Sequence, residues 1–186
     1  MQSSTGGAYD GVQKTLHWLT AILVAAQFVV AWTMSEPPKG QPPVGLMNLH
    51  LSIGATILVV TVLRLLWRAT HPVSAQPRDI PAWQQIAARA THLGFYAILI
   101  VMPLAGWAWA SAKAWLVTLF GAVALSPLAL GRTMSGDVAA SVHEALGTVL
   151  LILIAVHVAA ALRHRFVLKD DTLARMLPGS TRDRGA

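Results

Sequence analysis

The sequence predicts an all-α integral membrane protein, a four-helix bundle forming one membrane domain over residues 1–186. Its composition is 55% hydrophobic and only 12% charged, with a mean hydropathy of +0.56, which is too apolar for an ordinary soluble domain. Four apolar runs have the length of a spanning helix. The basic residues lie at the ends of these runs, so membrane topology accounts for the net charge of +6 and nucleic-acid binding is not expected.

The four apolar runs are each long enough to cross a hydrocarbon core about 30 Å thick. They predict helices at approximately residues 14–34, 46–67, 91–111 and 141–164, followed by a short polar tail at 166–186. No convincing small-x-small cleavage motif follows the first run, so we interpret it as a retained helix rather than a secretory signal. The polar connection before the third run contains a short amphipathic piece at 83–90. The third run contains Pro103 and Gly106, which membrane helices tolerate.

A further apolar segment, residues 114–130, approaches spanning length but is interrupted by Gly and Pro. With four helices, the N-terminus, the second connection and the C-terminal tail share one side and carry eleven basic residues. The other side carries three, Lys39, Lys113 and Arg132. This asymmetry favours both termini in the cytoplasm. We therefore predict that residues 114–130 form an outward-facing hairpin or interfacial segment between the third and fourth helices.

The fourth helix carries two histidines, His143 and His157, fourteen residues apart. Fourteen residues are almost four turns, a rise of roughly 21 Å, so both lie on one face at opposite depths of the bilayer. The alternating helix directions leave His50 as the partner at the outer level, whereas the inner level offers His17 or His92. Ionisable residues inside a spanning bundle are costly and usually functional. Two histidine pairs at two depths predict two haem b groups.

The chain contains no cysteine. This excludes disulfides, thiolate-bound iron–sulfur clusters and haem attached through a C-x-x-C-H motif, so any haem must be bound non-covalently. Neutral imidazoles on both faces of the iron leave no open coordination position. Such a haem transfers electrons rather than binding substrate at the metal.

A porphyrin lying against a helix requires a small residue about one turn from its ligand. The residues four positions after the candidates His17, His50, His143 and His157 are Ala21, Gly54, Gly147 and Ala161. Tyr96 occupies that position after His92, so we pair His17 with His157. His92 is then a hydrogen-bonding neighbour or part of a cytoplasmic quinone or propionate pocket. Arg64 lies on the face of His50 but deeper, where a guanidinium suits an anionic propionate.

Several segments resemble the bacterial cytochrome b561 family. They are K-T-L-H-W, N-L-H-L-S-I-G, V-H-E-A-L-G, A-V-H-V-A-A-A-L-R-H and F-V-L-K-D-D-T-L-A-R-M-L-P. The resemblance covers residues 13–178, nearly the whole chain. It implies two haem b groups in the inner membrane, electron exchange with quinone, and iron ligands at His17, His50, His143 and His157. Within the family, the likeness is to enzymes that oxidise superoxide at the outer face and reduce ubiquinone.

The leading functional hypothesis is therefore a superoxide:ubiquinone oxidoreductase. Lys113 and Arg132 are the candidates for steering the superoxide anion, and His164 or His92 for supplying protons to the quinone. The alternative is a cytochrome b relay subunit that passes electrons from a hydrogenase or dehydrogenase partner to quinone. Only this alternative requires a protein partner. A third hypothesis is a membrane protein that binds a transition metal through its histidines and carries no haem.

Overall fold

The computed structural model describes residues 9–72, 81–129 and 135–177. Its elements are α1 (Gly11–Thr33), α2 (Gly45–Thr70), α3 (Ala82–Ala112), β1 (Val117–Leu119), β2 (Val123–Leu125) and α4 (Gly136–Arg163). A π-helical turn (His164–Leu168) and a 3-10 turn (Ala174–Met176) follow. All four long helices are apolar enough to cross a membrane, which confirms the predicted all-α membrane bundle.

Capping side chains and the positions of Gly and Pro explain where the helices begin. The Asp10 side chain caps α1 by accepting a hydrogen bond of 2.7 Å from the backbone N–H of Gln13, and Ser135 caps α4 in the same way. The third helix begins at Ala82, so the amphipathic piece at 83–90 is part of it and not a separate element. No Gly or Pro follows Pro81 until Gly94, and nothing therefore interrupts the helix there. Pro103 lies inside α3 without ending it.

Three close packings organise the bundle: α3 against α4, α1 against α2, and α2 against α3. They surround an apolar cluster made of Val24, Val30, Ile53, Ile57, Ile98, Leu99 and Leu150. Large apolar side chains also cover the outer faces, where Ile22 is 64% and Ile152 is 60% exposed. Such extensive exposure of apolar surface is expected only where lipid replaces water.

The segment between α3 and α4 contains an antiparallel hairpin in which Thr118 pairs with Ala124. Its turn carries Phe120 and Gly121 at φ values of 49° and 74°. The backbone N–H of Phe120 donates a 2.9 Å hydrogen bond to Ser52 Oγ on α2. Of the two forms predicted for residues 114–130, the structure therefore has the hairpin.

We call the end of the bundle that carries this hairpin, with the N-termini of α2 and α4, the hairpin end. The opposite end, where α4 runs into residues 164–177, is the tail end. There Trp18 Nε1 donates a 2.8 Å hydrogen bond to the carbonyl oxygen of Met176, so the start of the tail lies against α1. That the tail end faces the cytoplasm stays a prediction from the charge asymmetry.

Candidate functional site

Two groups of histidines lie inside the bundle, one at each end. At the hairpin end, His50 of α2 and His143 of α4 face each other with ring centroids 6.0 Å apart and ring planes at 72°. His50 is only 8% exposed. The structure thus brings together the two residues that the sequence placed at the outer level.

The His143 ring is held by α3. Its Nδ1 lies 2.9 Å from the carbonyl oxygen of Met102. Because a carbonyl oxygen can only accept, Nδ1 carries the hydrogen and the lone pair of the neutral ring is on Nε2. Gly106 lies one turn further along α3, and a Cβ at that position would come within 2.9 Å of Nδ1. A glycine is therefore required for the ring to lie this close to the helix.

His50 lies beside a buried polar side chain of α1. Gln27, 9% exposed, donates a 3.0 Å hydrogen bond from Nε2 to the backbone carbonyl of His50. Neither Gln27 Oε1 nor His50 Nδ1 has a hydrogen-bond partner among the described residues. A Cβ at Gly54 would lie 3.4 Å from Gln27 Nε2, an ordinary contact. Buried polar atoms without partners are uncommon, and they mark the surroundings of His50 as adapted to more than apolar packing.

Three histidines meet at the tail end. The His157 ring centroid lies 6.5 Å from that of His17 and 5.9 Å from that of His92. Phe95, one turn after His92, contacts the same ring edge-on at 5.3 Å. The structure therefore leaves both partners for His157 in reach, and the preference for His17 stays a prediction.

Arg64 contacts His17 directly, with Nη2 3.0 Å from Nδ1. A guanidinium can only donate, so Nδ1 of His17 accepts and the hydrogen of the neutral ring is on Nε2. This is the opposite tautomer to that of His143. The guanidinium also lies over the Tyr96 ring, 5.5 Å from its centroid. The sequence directed Arg64 toward the inner haem site, where His17 lies, but the direct hydrogen bond to His17 was not predicted.

The four small residues predicted beside the ligands differ in their surroundings. Gly54, Gly147 and Ala161 are partly buried, whereas Ala21 is exposed. A Cβ at Gly147 would contact Met102 Cε at 3.6 Å, which leaves room at this position. Their roles beside a porphyrin stay predictions.

The candidate proton donors occupy different places at the tail end. His92 belongs to the histidine group, whereas His164 pairs with Asp170 at 2.5 Å in the turn after α4. Burial tends to raise the pKa of Asp170, but hydrogen bonds from His164 and Thr172 outweigh it and lower the pKa below 3.8. The contact of His164 with Asp170 therefore stabilises the turn after α4.

Of the two candidates for steering an anion, Lys113 is already engaged. Its Nζ lies 2.9 and 3.1 Å from the carboxylate oxygens of Glu36, and 4.8 and 4.9 Å from the ring centroids of Trp109 and Trp115. Arg132 lies outside the described residues. The contact with Glu36 spans 77 positions, and no local pattern could have predicted it.

Sequence reasoning also missed Gln27, Gly106 and Trp109, whose ring centroid is 6.5 Å from that of His143. A buried amide in an apolar helix was a usable signal for Gln27, because a polar side chain within a span is costly unless it is hydrogen-bonded. Gly106 and Trp109 carried no signal of their own. Their importance follows from how α3 crosses α4.

A membrane bundle with histidines close together at both ends of one helix is the arrangement expected of a cytochrome b. Over residues 9–72, 81–129 and 135–177, no group of three or more His, Cys, Asp or Glu side chains is arranged to hold a metal ion alone.

The comparisons with known proteins agree with this class. The family model described as prokaryotic cytochrome b561 matches residues 8–179, and the chain belongs to this family. It is 30% identical to cytochrome b561 homolog 2 of Escherichia coli K12, covering 98% of both chains. It is 29% identical to the probable superoxide oxidase CybB of Yersinia pestis, over 91% of this chain and 96% of that protein. It is 27% identical to cytochrome b562 of Cereibacter sphaeroides, over 91% and 94%. The chain is therefore a multi-pass inner-membrane protein of a family that binds haem b and transfers electrons.

Proposed function

We propose that this protein binds two haem b groups and transfers electrons between them across the membrane. His50 and His143 would hold one haem at the hairpin end, and His17 and His157 the other at the tail end. The observation that carries the proposal is the presence of two facing histidine pairs, with ring centroids 6.0 and 6.5 Å apart, at opposite ends of the bundle.

These separations suit an iron between two imidazoles. Histidine is a common ligand of haem iron, and each facing pair would hold one haem between two helices. The backbone carbonyl of Met102 leaves the lone pair of His143 on Nε2, the nitrogen available for a metal. The unpartnered Nδ1 of His50 adds a second polar atom inside the same pocket. Haem supplies reversible one-electron chemistry, while the chain fixes its position and excludes water.

The tail-end pair, His17 and His157, could hold a haem under one further condition. His17 can offer Nε2 to a metal only if Nδ1 carries the hydrogen, which requires Arg64 to give up its present contact with that nitrogen. A haem propionate is an anion that a guanidinium would bind in exchange. Arg64, Arg68, Tyr9 and Tyr96 line one small cavity there, and this basic, hydrogen-bonding lining suits carboxylates.

We propose superoxide as the electron donor at the hairpin end and ubiquinone as the acceptor. Two superoxide ions would each lose one electron to give two O₂, and one ubiquinone would gain two electrons and two protons. His164 and His92 are the candidates for delivering those protons at the tail end. The likeness to the Yersinia pestis probable superoxide oxidase supports this choice of donor.

One observation favours the alternative, a relay subunit that receives electrons from a hydrogenase or dehydrogenase partner. Among the described residues near the hairpin end, the acidic side chains Glu36, Asp137 and Glu144 outnumber the lysines Lys39 and Lys113. A surface that attracts superoxide would be expected to be basic.

The deciding experiment mixes superoxide anaerobically with the oxidised, haem-loaded protein in vesicles containing ubiquinone. A superoxide oxidase should show haem reduction that depends on superoxide concentration, with one quinol formed per two superoxide ions consumed. Haem reduction no faster than with a neutral donor, together with a co-purifying dehydrogenase, would support the relay instead. Haem b per chain is measured on the same sample by the pyridine haemochrome method.

A further inference from the structure

We infer that Glu36 masks the charge of Lys113 and thereby limits how strongly the hairpin end attracts an anionic electron donor. The inference rests on the proposed function at this end and concerns its regulation by electrostatics. Glu36 lies in the connection between α1 and α2, and Lys113 directly follows α3.

The contacts of Lys113 define a cage. Both carboxylate oxygens of Glu36 lie within 3.1 Å of Nζ, and the indole rings of Trp109 and Trp115 lie within 4.9 Å of it. The aromatic faces attract the ammonium group and limit its rotamers. The Lys113 side chain is nevertheless 34% exposed and that of Glu36 55%. An anion from solution can therefore reach Nζ, but it must compete with a carboxylate already in place.

This cage lies next to the hairpin-end histidines. The Trp109 ring centroid lies 4.8 Å from Lys113 Nζ and 6.5 Å from the centroid of the His143 ring. Lys113 and a proposed iron ligand are thus neighbours of the same indole ring. An anion held at Nζ would be close to the point where its electron must enter.

The charges around Lys113 determine how much its masking by Glu36 matters. The other described charged side chains near this end are Lys39, Asp137 and Glu144, which together are net negative. With Lys113 neutralised by Glu36, the described part of this end presents no positive excess to an anion. Removing the Glu36 charge leaves Lys113 as a positive group beside Trp109 without changing the fold of a helix.

The test compares Glu36→Gln with Asp137→Asn. Both variants remove one negative charge at the same end, but only Glu36→Gln removes the carboxylate that contacts Lys113. Asp137 lies in the first turn of α4 and has no contact with Lys113 among those the structure describes. Stopped-flow rates of haem reduction are measured with superoxide, with the sulfur dioxide radical anion from dithionite, and with an uncharged quinol.

We expect Glu36→Gln to accelerate reduction by both anions about two- to fivefold at low ionic strength, and the gain to disappear in high salt. Reduction by the uncharged quinol should not change. The midpoint potentials of the haems, measured by redox titration, should also stay as in the wild type, because the effect lies in the approach of the donor. The double variant Glu36→Gln/Lys113→Gln should lose the gain, since the two residues act as a pair.

Equal rates for Glu36→Gln and Asp137→Asn would overturn the inference, as would the same acceleration with the uncharged donor. Failure of the proposed function would give a different experimental result. In that case superoxide would not reduce the wild-type haems, while the dithionite radical anion would still distinguish the two variants.

Discussion

Each end of this bundle contains one histidine of α4, but the surroundings of the two histidines differ. At the hairpin end, His143 faces one histidine, and its tautomer is set by the backbone carbonyl of Met102. At the tail end, His157 lies about equally far from His17 and His92, and His17 is contacted by the side chain of Arg64. A backbone carbonyl in a helix cannot move away, whereas a guanidinium on a flexible stem can.

This difference indicates a division between a preorganised and an adaptable site. Ligands whose orientation is fixed by neighbouring backbone keep their geometry when a cofactor binds. A ligand that must first exchange a hydrogen bond has a geometry that depends on the cofactor, including the charge of the cofactor's substituents.

The largest effect should come from removing single histidines. His143→Ala should reduce the content from about two haem b per chain to about one, because no other described histidine faces His50. His17→Ala should also lose one haem, while His92→Ala should keep both. Pyridine haemochrome analysis of the purified variants gives these ratios. Retention of both haems by His17→Ala, with loss in His92→Ala, would reverse the assignment of the tail-end pair.

Next in size is a pair of glycine substitutions in α3. Gly106→Ala would place Cβ 2.9 Å from His143 Nδ1, whereas Gly94→Ala would place it 3.3 Å from Leu153 Cδ2. The imidazole is held by its hydrogen bond and cannot yield, but the tip of a leucine can. We expect Gly106→Ala to destabilise the protein by about 1–3 kcal/mol and to weaken haem retention, with a smaller effect for Gly94→Ala. Thermal unfolding followed by haem release measures both, and equal behaviour would argue against a rigid hairpin end.

Arg64 should tune one haem potential and leave the other nearly unchanged. Arg64→Gln removes a half-buried cation beside His17, so adding an electron there becomes less favourable. The potential of the tail-end haem should fall by roughly tens of millivolts, because a charge at such a distance contributes on the order of 1–2 kcal/mol. Arg68→Gln, one turn closer to solvent and exposed, is the matched control and should shift it less. A redox titration that finds both potentials displaced equally would contradict this placement.

The smallest effect concerns the tail. Hydrogen bonds from His164 and Thr172 hold the pKa of Asp170 below 3.8 despite its partial burial. A carboxyl whose pKa is lower in the folded state stabilises the fold above its unfolded value, and that contribution is lost as the pH falls through the folded pKa. We therefore expect the turn at residues 164–172 to loosen below about pH 4. Hydrogen exchange of its amides, compared with Asp170→Asn at neutral pH, checks this; identical exchange in wild type and variant would count against it.

Much of the site could be predicted because membrane helices turn sequence spacing into depth. Once four spans are recognised, His50 must share a level with His143, and the structure places their rings together. The inner level could not be reduced to one pair in this way. His17 and His92 enter the bundle at similar depth on different helices, and depth alone does not give the angle at which each helix faces α4.

The amino-acid sequence was enough to predict the class of the molecule, the number of spans, a hairpin or interfacial segment after α3, and histidines at two depths, with His50 opposite His143. These follow from hydropathy, helix rise and the cost of polar groups in lipid, which are local or one-dimensional properties. The packing of the helices was needed to show that Met102 and Gly106 orient His143, that Arg64 contacts His17, and that Glu36 contacts Lys113. Those contacts join residues far apart in the chain, and they depend on how the helices are rotated about their own axes.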